Sequence, residues 1–315
     1  MNFHDGSETM SNFYNSYSQF LKEKFNANVY KISLTSNGTC PNRDGILGTG
    51  GCIYCSNSGS GRIYTKPAYE QVKDFIECRN GNKIRYIAYF QSFSNMYKNR
   101  ESIIESMERI SKFSQIVGFS IATRPDTIDE NILNYLKSIS KRYFIQIEMG
   151  LETANNFTLE KINRKIKAEK YISAAKNIRK IIPECHIVCH VILGLLEEQF
   201  DDFDNTIEFY LRSESDGIKF HHLYVHKNTK LNEMFNEGKA RVMGEWEYIE
   251  SVMKLLEKIP PEKVIHRIKS SMVPQYLVAP LWTMDRNFYE KLFTYAKRYK
   301  SYQGKMYGNN NFNCW

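Results

Sequence analysis

Three cysteines gathered in one short stretch constrain this sequence more than any other feature. The segment CPNRDGILGTGGCIYC places Cys40, Cys52 and Cys55 at the spacing C-x11-C-x2-C. Thiolates are soft ligands that select zinc, copper(I) or iron–sulfur clusters. A structural zinc site takes four ligands, whereas three thiolates on a [4Fe-4S] cubane leave one iron open for chemistry. The spacing favours a cluster and leaves two alternatives: a zinc site completed by a distant His or Cys, and free cysteines.

The composition predicts a folded protein with no membrane-spanning segment. The 315 residues are 42% hydrophobic and 14% aromatic, which is too apolar for a disordered chain. No window approaches the roughly 18 apolar residues that span a bilayer, and the N-terminus MNFHDGSETM lacks the pattern of an export signal. An odd number of cysteines, seven, argues against a disulfide framework. We therefore expect a cytoplasmic protein, and its net charge of +8 suits an anionic partner.

Strand-like and helix-like segments alternate along most of the chain. Apolar or β-branched runs predict strands, and segments with helical periodicity lie between them. The predicted strands are Val29–Leu34, Ile84–Phe90, Ile116–Thr123, Tyr143–Met149, His186–Leu193 and Gly217–Val225. This alternation predicts βαβ units and a parallel sheet, either open or closed into a partial barrel. A short strand, Val264–Ile268, is expected after the break at IPPEK.

Together with the cysteine segment, several further motifs resemble the radical-SAM superfamily. They are YFQSFSN, ATRPDTI, IEMGLETAN followed by INR, HVILGLLEE, LYVHKNTKL and VAPLW. Over roughly residues 28–285 the chain is similar to the YhcC/YtqA-type branch, which is related to the catalytic subunit of Elongator. The resemblance implies an α/β fold, the (β/α)6 partial TIM barrel, with its site at the carboxyl ends of the strands. We expect three regions: an N-terminal helical extension (1–27), the partial barrel (28–257) and a C-terminal extension with a basic, aromatic-rich tail (258–315).

The resemblance also implies two cofactors, a [4Fe-4S] cluster and S-adenosylmethionine. Cys40, Cys52 and Cys55 are the implied cluster ligands. The implied contacts to S-adenosylmethionine are Tyr54, Phe90, Gln91, Ser92, Thr123, Arg124, Glu152, Arg164, His190, Leu223 and Val225. Of these, Arg164 suits a carboxylate because a guanidinium bonds it bidentately. His190 stands where related enzymes carry an acidic residue for the ribose.

Radical chemistry is the reaction that the resemblance implies. An external donor of the flavodoxin or ferredoxin type reduces the cluster, whose electron cleaves S-adenosylmethionine to a 5′-deoxyadenosyl radical that abstracts hydrogen from the substrate. Elongator-like relatives suggest that this substrate is a wobble-uridine side chain of tRNA. Basic and aromatic residues suit RNA contact, and the tail offers Lys297, Arg298, Tyr299 and Lys300. The alternatives are a radical-SAM enzyme acting on a small metabolite or a peptide, and a non-catalytic zinc-dependent RNA-binding protein.

Three other polar residues allow more than one interpretation. Glu148 alternates with apolar neighbours, so it is expected to point into the barrel. There it either binds substrate or cofactor, or it is a buried, paired structural carboxylate. Lys219 and Lys227 are expected to be solvated or to contact phosphate.

Overall fold

Strands and helices alternate in the computed structural model, which describes residues 13–36, 38–56, 64–78, 84–91 and 93–307. The strands are β1 (Asn28–Leu34), β2 (Ile84–Phe90), β3 (Ile116–Thr123), β4 (Phe144–Glu152), β5 (His186–Leu193), β6 (Gly217–His222), β7 (Val225–His226), β8 (Val264–Arg267) and β9 (Leu277–Ala279). The α-helices are α1 (Tyr17–Phe25), α2 (Ala68–Glu77), α3 (Arg100–Ile110), α4 (Glu130–Ile139), α5 (Asn156–Lys161), α6 (Glu169–Ile181), α7 (Phe200–Leu211), α8 (Lys230–Asn236), α9 (Glu245–Lys258) and α10 (Phe288–Tyr299).

Seven of the strands form one parallel sheet in the order β1-β2-β3-β4-β5-β6-β8. Sequential order with helical crossovers is the pattern of a barrel wall, and the sheet forms the half-barrel of a partial TIM barrel. The predicted fold class is therefore confirmed. Strands β7 and β9 form a separate antiparallel pair.

The strands alternate between an apolar outer face and a polar inner face. On β4, Ile145, Ile147 and Met149 belong to the buried apolar core. Between them, Gln146 and Glu148 bond to other polar side chains of the interior. Because neighbouring strand residues point to opposite sides, the helices cover the apolar face, and the interior is left for polar groups.

The N-terminal helix α1 packs against both edge strands of the half-barrel, β1 and β8. Just before it, Ser16 pairs with Ile265 of β8, and the amide of Ile265 donates to the carbonyl of Asn15 at 2.8 Å. Tyr17 reaches across the interior, where its ring stacks on His266 at 3.9 Å between centroids. Its hydroxyl donates to Gln146 Oε1 on β4 at 2.8 Å. The helical extension is thus part of the barrel and closes its open side.

Six of the strands that the sequence predicts end within a few residues of the observed ones. The seventh, β8, was assigned to the C-terminal extension, yet it pairs with β6 and completes the sheet. Helix α2, with the sequence AYEQVKDFIE, buries only Ala68, Gln71 and Val72, so its apolar stripe is short. Among the described residues no helix is both long enough and apolar enough to cross a membrane.

Replacing Tyr17 tests whether α1 is a structural part of the barrel. We expect Tyr17→Ala to lower the free energy of unfolding by about 2–4 kcal/mol, because the stacked ring leaves a cavity. Tyr17→Phe keeps the ring and loses one hydrogen bond, at a cost of about 1 kcal/mol. Urea unfolding measures both, and Tyr30→Ala on the exposed side of β1, where the residue is 52% exposed, is the control. If Tyr17→Ala is no less stable than Tyr30→Ala, α1 does not close the barrel.

Candidate functional site

A cavity of about 240 Å³ lies among residues at the carboxyl ends of the strands. Parallel strands bring these ends to one edge, so residues far apart in the sequence meet there. Of the residues implied by resemblance, those that line the cavity are Cys40, Cys52, Tyr54, Cys55, Gln91, Thr123, Arg124, Glu152, Arg164, His190 and Leu223.

Two of the implied contact residues do not line this cavity. Phe90 is fully buried in the apolar core, while Tyr89 and Gln91 on either side of it face the cavity. Val225 is likewise buried and pairs with Ala279. The period-two alternation of strand side chains explains why both side chains point into the core. Ser92 lies outside the described residues.

The cysteine loop is held by its own backbone and by one arginine. The amide of Cys55 donates to the carbonyl of Cys52 at 3.0 Å, and the amide of Arg43 donates to the carbonyl of Cys40 at 2.8 Å. Arg43 Nη2 then donates to the carbonyls of Cys55 and Ser56 at 3.1 and 2.6 Å. Gly51 has a φ of +81°, and a Cβ there would lie 2.8 Å from Arg43 Nε. Glycine at this position therefore lets the loop wrap closely around the guanidinium.

The same loop is bonded to the turn that carries Arg164. Asn42 Nδ2 donates to the carbonyl of Asn163 at 2.5 Å, and Asn163 Nδ2 donates to the carbonyl of Gly51 at 2.8 Å. The amide of Ile53 also donates to the carbonyl of Ile162 at 3.1 Å. These reciprocal bonds join two segments more than 100 residues apart in sequence.

Beside the cysteines, a carboxylate and two guanidinium groups form a buried polar cradle. Arg164 Nη2 donates to the carbonyl of Gly150 at 2.8 Å and lies 3.3 Å from Glu152 Oε1. Arg124 forms two bonds to Asp126, at 2.8 and 2.9 Å, and donates to the carbonyl of Arg164 at 3.1 Å. Burial raises the pKa of Glu152, an effect that Arg164 opposes. A Cβ on Gly150 would lie 2.2 Å from Glu152 Oε1, so only glycine leaves room for this arrangement.

This site has unsatisfied donors that suit an anionic ligand group. Within the described chain, Arg124 Nη1 and Arg164 Nε are buried and have no hydrogen-bond partner. Buried polar groups are nearly always bonded, and paired guanidinium donors fit a carboxylate. The thiols are soft donors; burial raises the pKa of Cys55 to about 12, so a bound metal would displace its proton. The residues present therefore fit both a thiolate-bound cluster and the methionine carboxylate of S-adenosylmethionine.

No group of three or more His, Cys, Asp or Glu side chains in the described residues is arranged to hold a single metal ion. The three cysteines nevertheless line one cavity, and the thiolates on a cubane each bind a different iron.

Glu148 is the centre of a charged network in the barrel interior. The residue is 1% exposed, and its carboxylate contacts the ammonium group of Lys31 and that of Lys219, the latter at 2.8 Å. It also bonds His190 Nε2 at 2.7 Å and the Tyr89 hydroxyl at 3.0 Å. Glu148 is therefore a buried, paired carboxylate that lines the cavity. Lys219 was expected to be solvated or to contact phosphate; because it is 6% exposed, it is not solvated.

Mutual charge effects set the protonation of this network. Burial alone would raise the pKa of Glu148, but the ammonium groups of Lys219 and Lys31 outweigh it and hold the pKa well below its usual range. Burial lowers the pKa of Lys219 to about 7, although Glu148 opposes this. Burial also lowers the pKa of His190 to about 4. A neutral His190 donates from Nε2 to Glu148 and keeps only Nδ1 for another partner.

The four tail residues predicted to contact RNA lie away from this cavity. Lys297, Arg298 and Tyr299 end helix α10, and Lys300 follows; all four are exposed. Just beyond them, Gln303 Nε2 donates to the carbonyls of Pro260 and Lys263 at 2.6 and 2.8 Å. Those carbonyls precede β8, so the tail packs at the amino ends of the strands, opposite the cysteines.

The sequence motifs did not point to several cavity residues, which are Arg43, Tyr89, His226 and Arg267. Strand alternation identifies Tyr89, two residues before Gln91, and it places Lys219, expected in solvent or at a phosphate, on the same face of β6 as His221. Arg267 could not be found in this way, because its strand had been assigned outside the barrel.

In a comparison with known protein families, the chain matches the Radical SAM superfamily over residues 47–210 and the Radical_SAM C-terminal domain over residues 215–295. The chain is 31% identical to YtqA of Bacillus subtilis over 302 residues, which are 93% of this chain and 92% of YtqA. It is 27% identical over 133 residues to a tRNA-2-methylthio-N(6)-dimethylallyladenosine synthase of Karelsulcia muelleri, covering 39% of this chain and 28% of that protein. Among solved structures, Elp3 of Methanocaldococcus infernus has the same fold, with a TM-score of 0.66 and 14% identity, over 91% of this chain and 68% of Elp3.

The lowered pKa of Lys219 predicts a pH dependence of stability. Folded Lys219 loses its proton near pH 7, whereas the unfolded residue keeps it to about pH 10.4. Between these values the unfolded chain binds more protons, so stability rises with pH. From pH 7 to 9 we expect Lys219 to contribute an increase of about 2 kcal/mol.

Urea unfolding of the wild type and of Lys219→Met at both pH values measures this contribution as a difference. Lys176→Met, at an exposed position of α6, is the matched control and should keep the wild-type slope. If Lys219→Met also keeps that slope, Lys219 titrates as an ordinary lysine.

Proposed function

The chain belongs to the radical SAM superfamily, whose members use a [4Fe-4S] cluster and S-adenosylmethionine, and we propose that it modifies a wobble-uridine side chain of tRNA. The observation that carries the enzymatic part is the meeting of Cys40, Cys52 and Cys55 with the Glu152–Arg164 cradle in one cavity. Family membership also decides between the cofactors left open by the cysteine spacing, in favour of the cluster over zinc.

In this proposal the three cysteines hold the cluster. Arg43 and Asn42 keep their loop in position through the carbonyls of Cys55, Ser56 and Asn163. The loop and the Arg164 turn are bonded to each other, so a ligand of the cysteines and a ligand of the cradle would be presented side by side.

The cradle is proposed to orient the methionine end of S-adenosylmethionine. Arg164 Nε and Arg124 Nη1, which have no hydrogen-bond partner among the described residues, suit its carboxylate, and Glu152 suits its ammonium group. The Thr123 hydroxyl already forms hydrogen bonds of 3.0 Å to both Ser94 Oγ and Thr127 Oγ1. It is therefore less available as a ligand for the ribose. Tyr54 lies beside the cradle and lines the same cavity.

When bound, the cluster and S-adenosylmethionine supply reductive cleavage of a sulfonium and abstraction of a hydrogen atom from the substrate. The chain's own contribution is orientation, a defined charge pattern and exclusion of water. Radical SAM enzymes need an external reductant, and for this chain we propose a donor of flavodoxin or ferredoxin type.

Three observations support tRNA as the substrate. The chain resembles the Elongator-related branch, part of it is similar to an enzyme named for its modification of tRNA, and the net charge of +8 suits a polyanion. The resemblance to the Elongator catalytic subunit favours a wobble uridine, where an existing substituent is the candidate target.

Replacing single cysteines tests the enzymatic part. Cys40→Ser, Cys52→Ser and Cys55→Ser should each lower bound iron and abolish formation of 5′-deoxyadenosine with dithionite and S-adenosylmethionine. Cys78→Ser is the matched control, because Cys78 is an exposed free cysteine outside the cavity, and it should behave as wild type. Iron content, visible absorbance and product chromatography after anaerobic reconstitution measure these outcomes. Retention of the cluster in any of the three variants would refute the ligand assignment.

The substrate is tested by comparing tRNA nucleosides from cells with and without the gene. We expect one modified wobble uridine to be replaced by its precursor, and restored by the wild-type gene but not by the Cys52→Ser variant. Mass spectrometry of digested tRNA measures the change. An identical nucleoside profile in both strains would overturn tRNA as the substrate and favour a small metabolite or a peptide.

A further inference from the structure

A stacked aromatic pair lies at the edge of the cavity and takes no part in the cradle. The rings of His226 and Tyr276 are 5.2 Å apart between centroids and only 10° from parallel. His226 lines the cavity, whereas Tyr276 is 42% exposed. The pair thus extends from the cavity wall to the protein surface.

Backbone hydrogen bonds hold His226 and Tyr276 side by side. His226 pairs with Leu277 in the short antiparallel sheet of β7 and β9. The amide of Lys227 donates to the carbonyl of Tyr276 at 2.8 Å, and a 3-10 turn over Pro274–Tyr276 leads into β9. Since strand pairing and a turn position the backbone of both residues, the exposed part of the Tyr276 ring has a defined place beside His226.

The charge beside this pair is positive. Lys227 is exposed, next to the stacked rings. Lysines that follow in the sequence are paired: Lys230 lies 2.7 Å from Glu233, and Lys239 lies 2.8 Å from Glu237. Lys227 makes no ion pair with a described residue. Inside the cavity, Arg267 adds another positive charge.

An aromatic face beside a lysine matches the chemistry of one nucleotide. Unpaired bases stack on aromatic side chains whatever their sequence, and a neighbouring ammonium neutralises a phosphate. Stacking at a cavity edge would also suit an enzyme that must bring a single nucleoside out of a loop to reach it.

We propose that Tyr276 and His226 form a stacking platform for an unpaired base of RNA, with Lys227 contacting an adjacent phosphate. The proposal rests on the proposed tRNA substrate and names the surface that receives it. It assigns RNA contact to the cavity edge instead of the tail around Lys297–Lys300, which packs at the opposite end of the barrel.

Binding of a fluorescein-labelled anticodon stem-loop RNA, with uridine at the wobble position, tests the platform. Fluorescence anisotropy with the anaerobically reconstituted protein gives Kd at several salt concentrations. Tyr276→Ala and Tyr276→Leu should weaken binding roughly 5- to 100-fold, the loss of one base stack, while Tyr276→Phe should bind like wild type. The Tyr276 variants should leave the salt slope unchanged, whereas Lys227→Ala should reduce it by roughly one.

Tyr302→Ala is the matched control, because this tyrosine of the tail is 50% exposed but lies at the other end of the barrel. It should bind RNA like wild type, and thermal unfolding midpoints check that every variant is folded. If RNA binds but Tyr276→Ala and Tyr276→Leu do not weaken it, the platform is wrong and tRNA remains the proposed substrate. If the wild type binds no RNA, both the platform and the tRNA substrate fail, while the cysteine variants still test the radical chemistry.

Discussion

The common direction of the seven strands of the main sheet is the constraint on which the site depends. Parallel pairing from β1 to β8 brings every carboxyl end to one edge, so segments separated by most of the chain meet there. The cysteine loop follows β1, and Glu152 ends β4. Cross-bonds such as Asn42 to Asn163 and Asn163 to Gly51 then fix the loop against its neighbour. The position of the thiols is therefore a property of the whole sheet and of its loops together.

A second consequence is a polar barrel interior. The helices take the apolar face of each strand, and the remaining face carries Lys31, Glu148 and Lys219. A single buried carboxylate pairs with two ammonium groups, an arrangement that is costly to disrupt because removal of one partner leaves a buried charge. Charge in this interior is thus coupled: Glu148 is kept ionised by the lysines, and Lys219 is held close to losing its proton by burial. The barrel interior therefore offers a ligand a polar, charged environment instead of an apolar one.

Elements that produce a local pattern in the sequence were predicted best. Strands such as Ile84–Phe90, Ile116–Thr123 and His186–Leu193 were predicted with their observed bounds, because buried parallel strands read as apolar runs. The prediction was weaker where a residue's role depends on which side of its strand the side chain lies. Phe90 and Val225 were assigned to the cavity by motif position, yet strand alternation turns them into the core. The place of β8 in the sheet has a different cause: the sequence predicts this strand, but not that it pairs with β6, because pairing between distant segments leaves no local pattern in a four-residue strand.

By itself, the sequence determined the soft donor set of Cys40, Cys52 and Cys55, the alternation of strands and helices, and the family to which they correspond. These are properties of residue type and spacing, which are local. Only the tertiary structure decided that Glu148 is a buried, paired carboxylate, that Arg124 and Arg164 have donors without a partner in the described part of the chain, and that the basic tail packs away from the cysteines. Burial, pairing and proximity arise between residues that are distant in the chain, so they exist only once the sheet has formed.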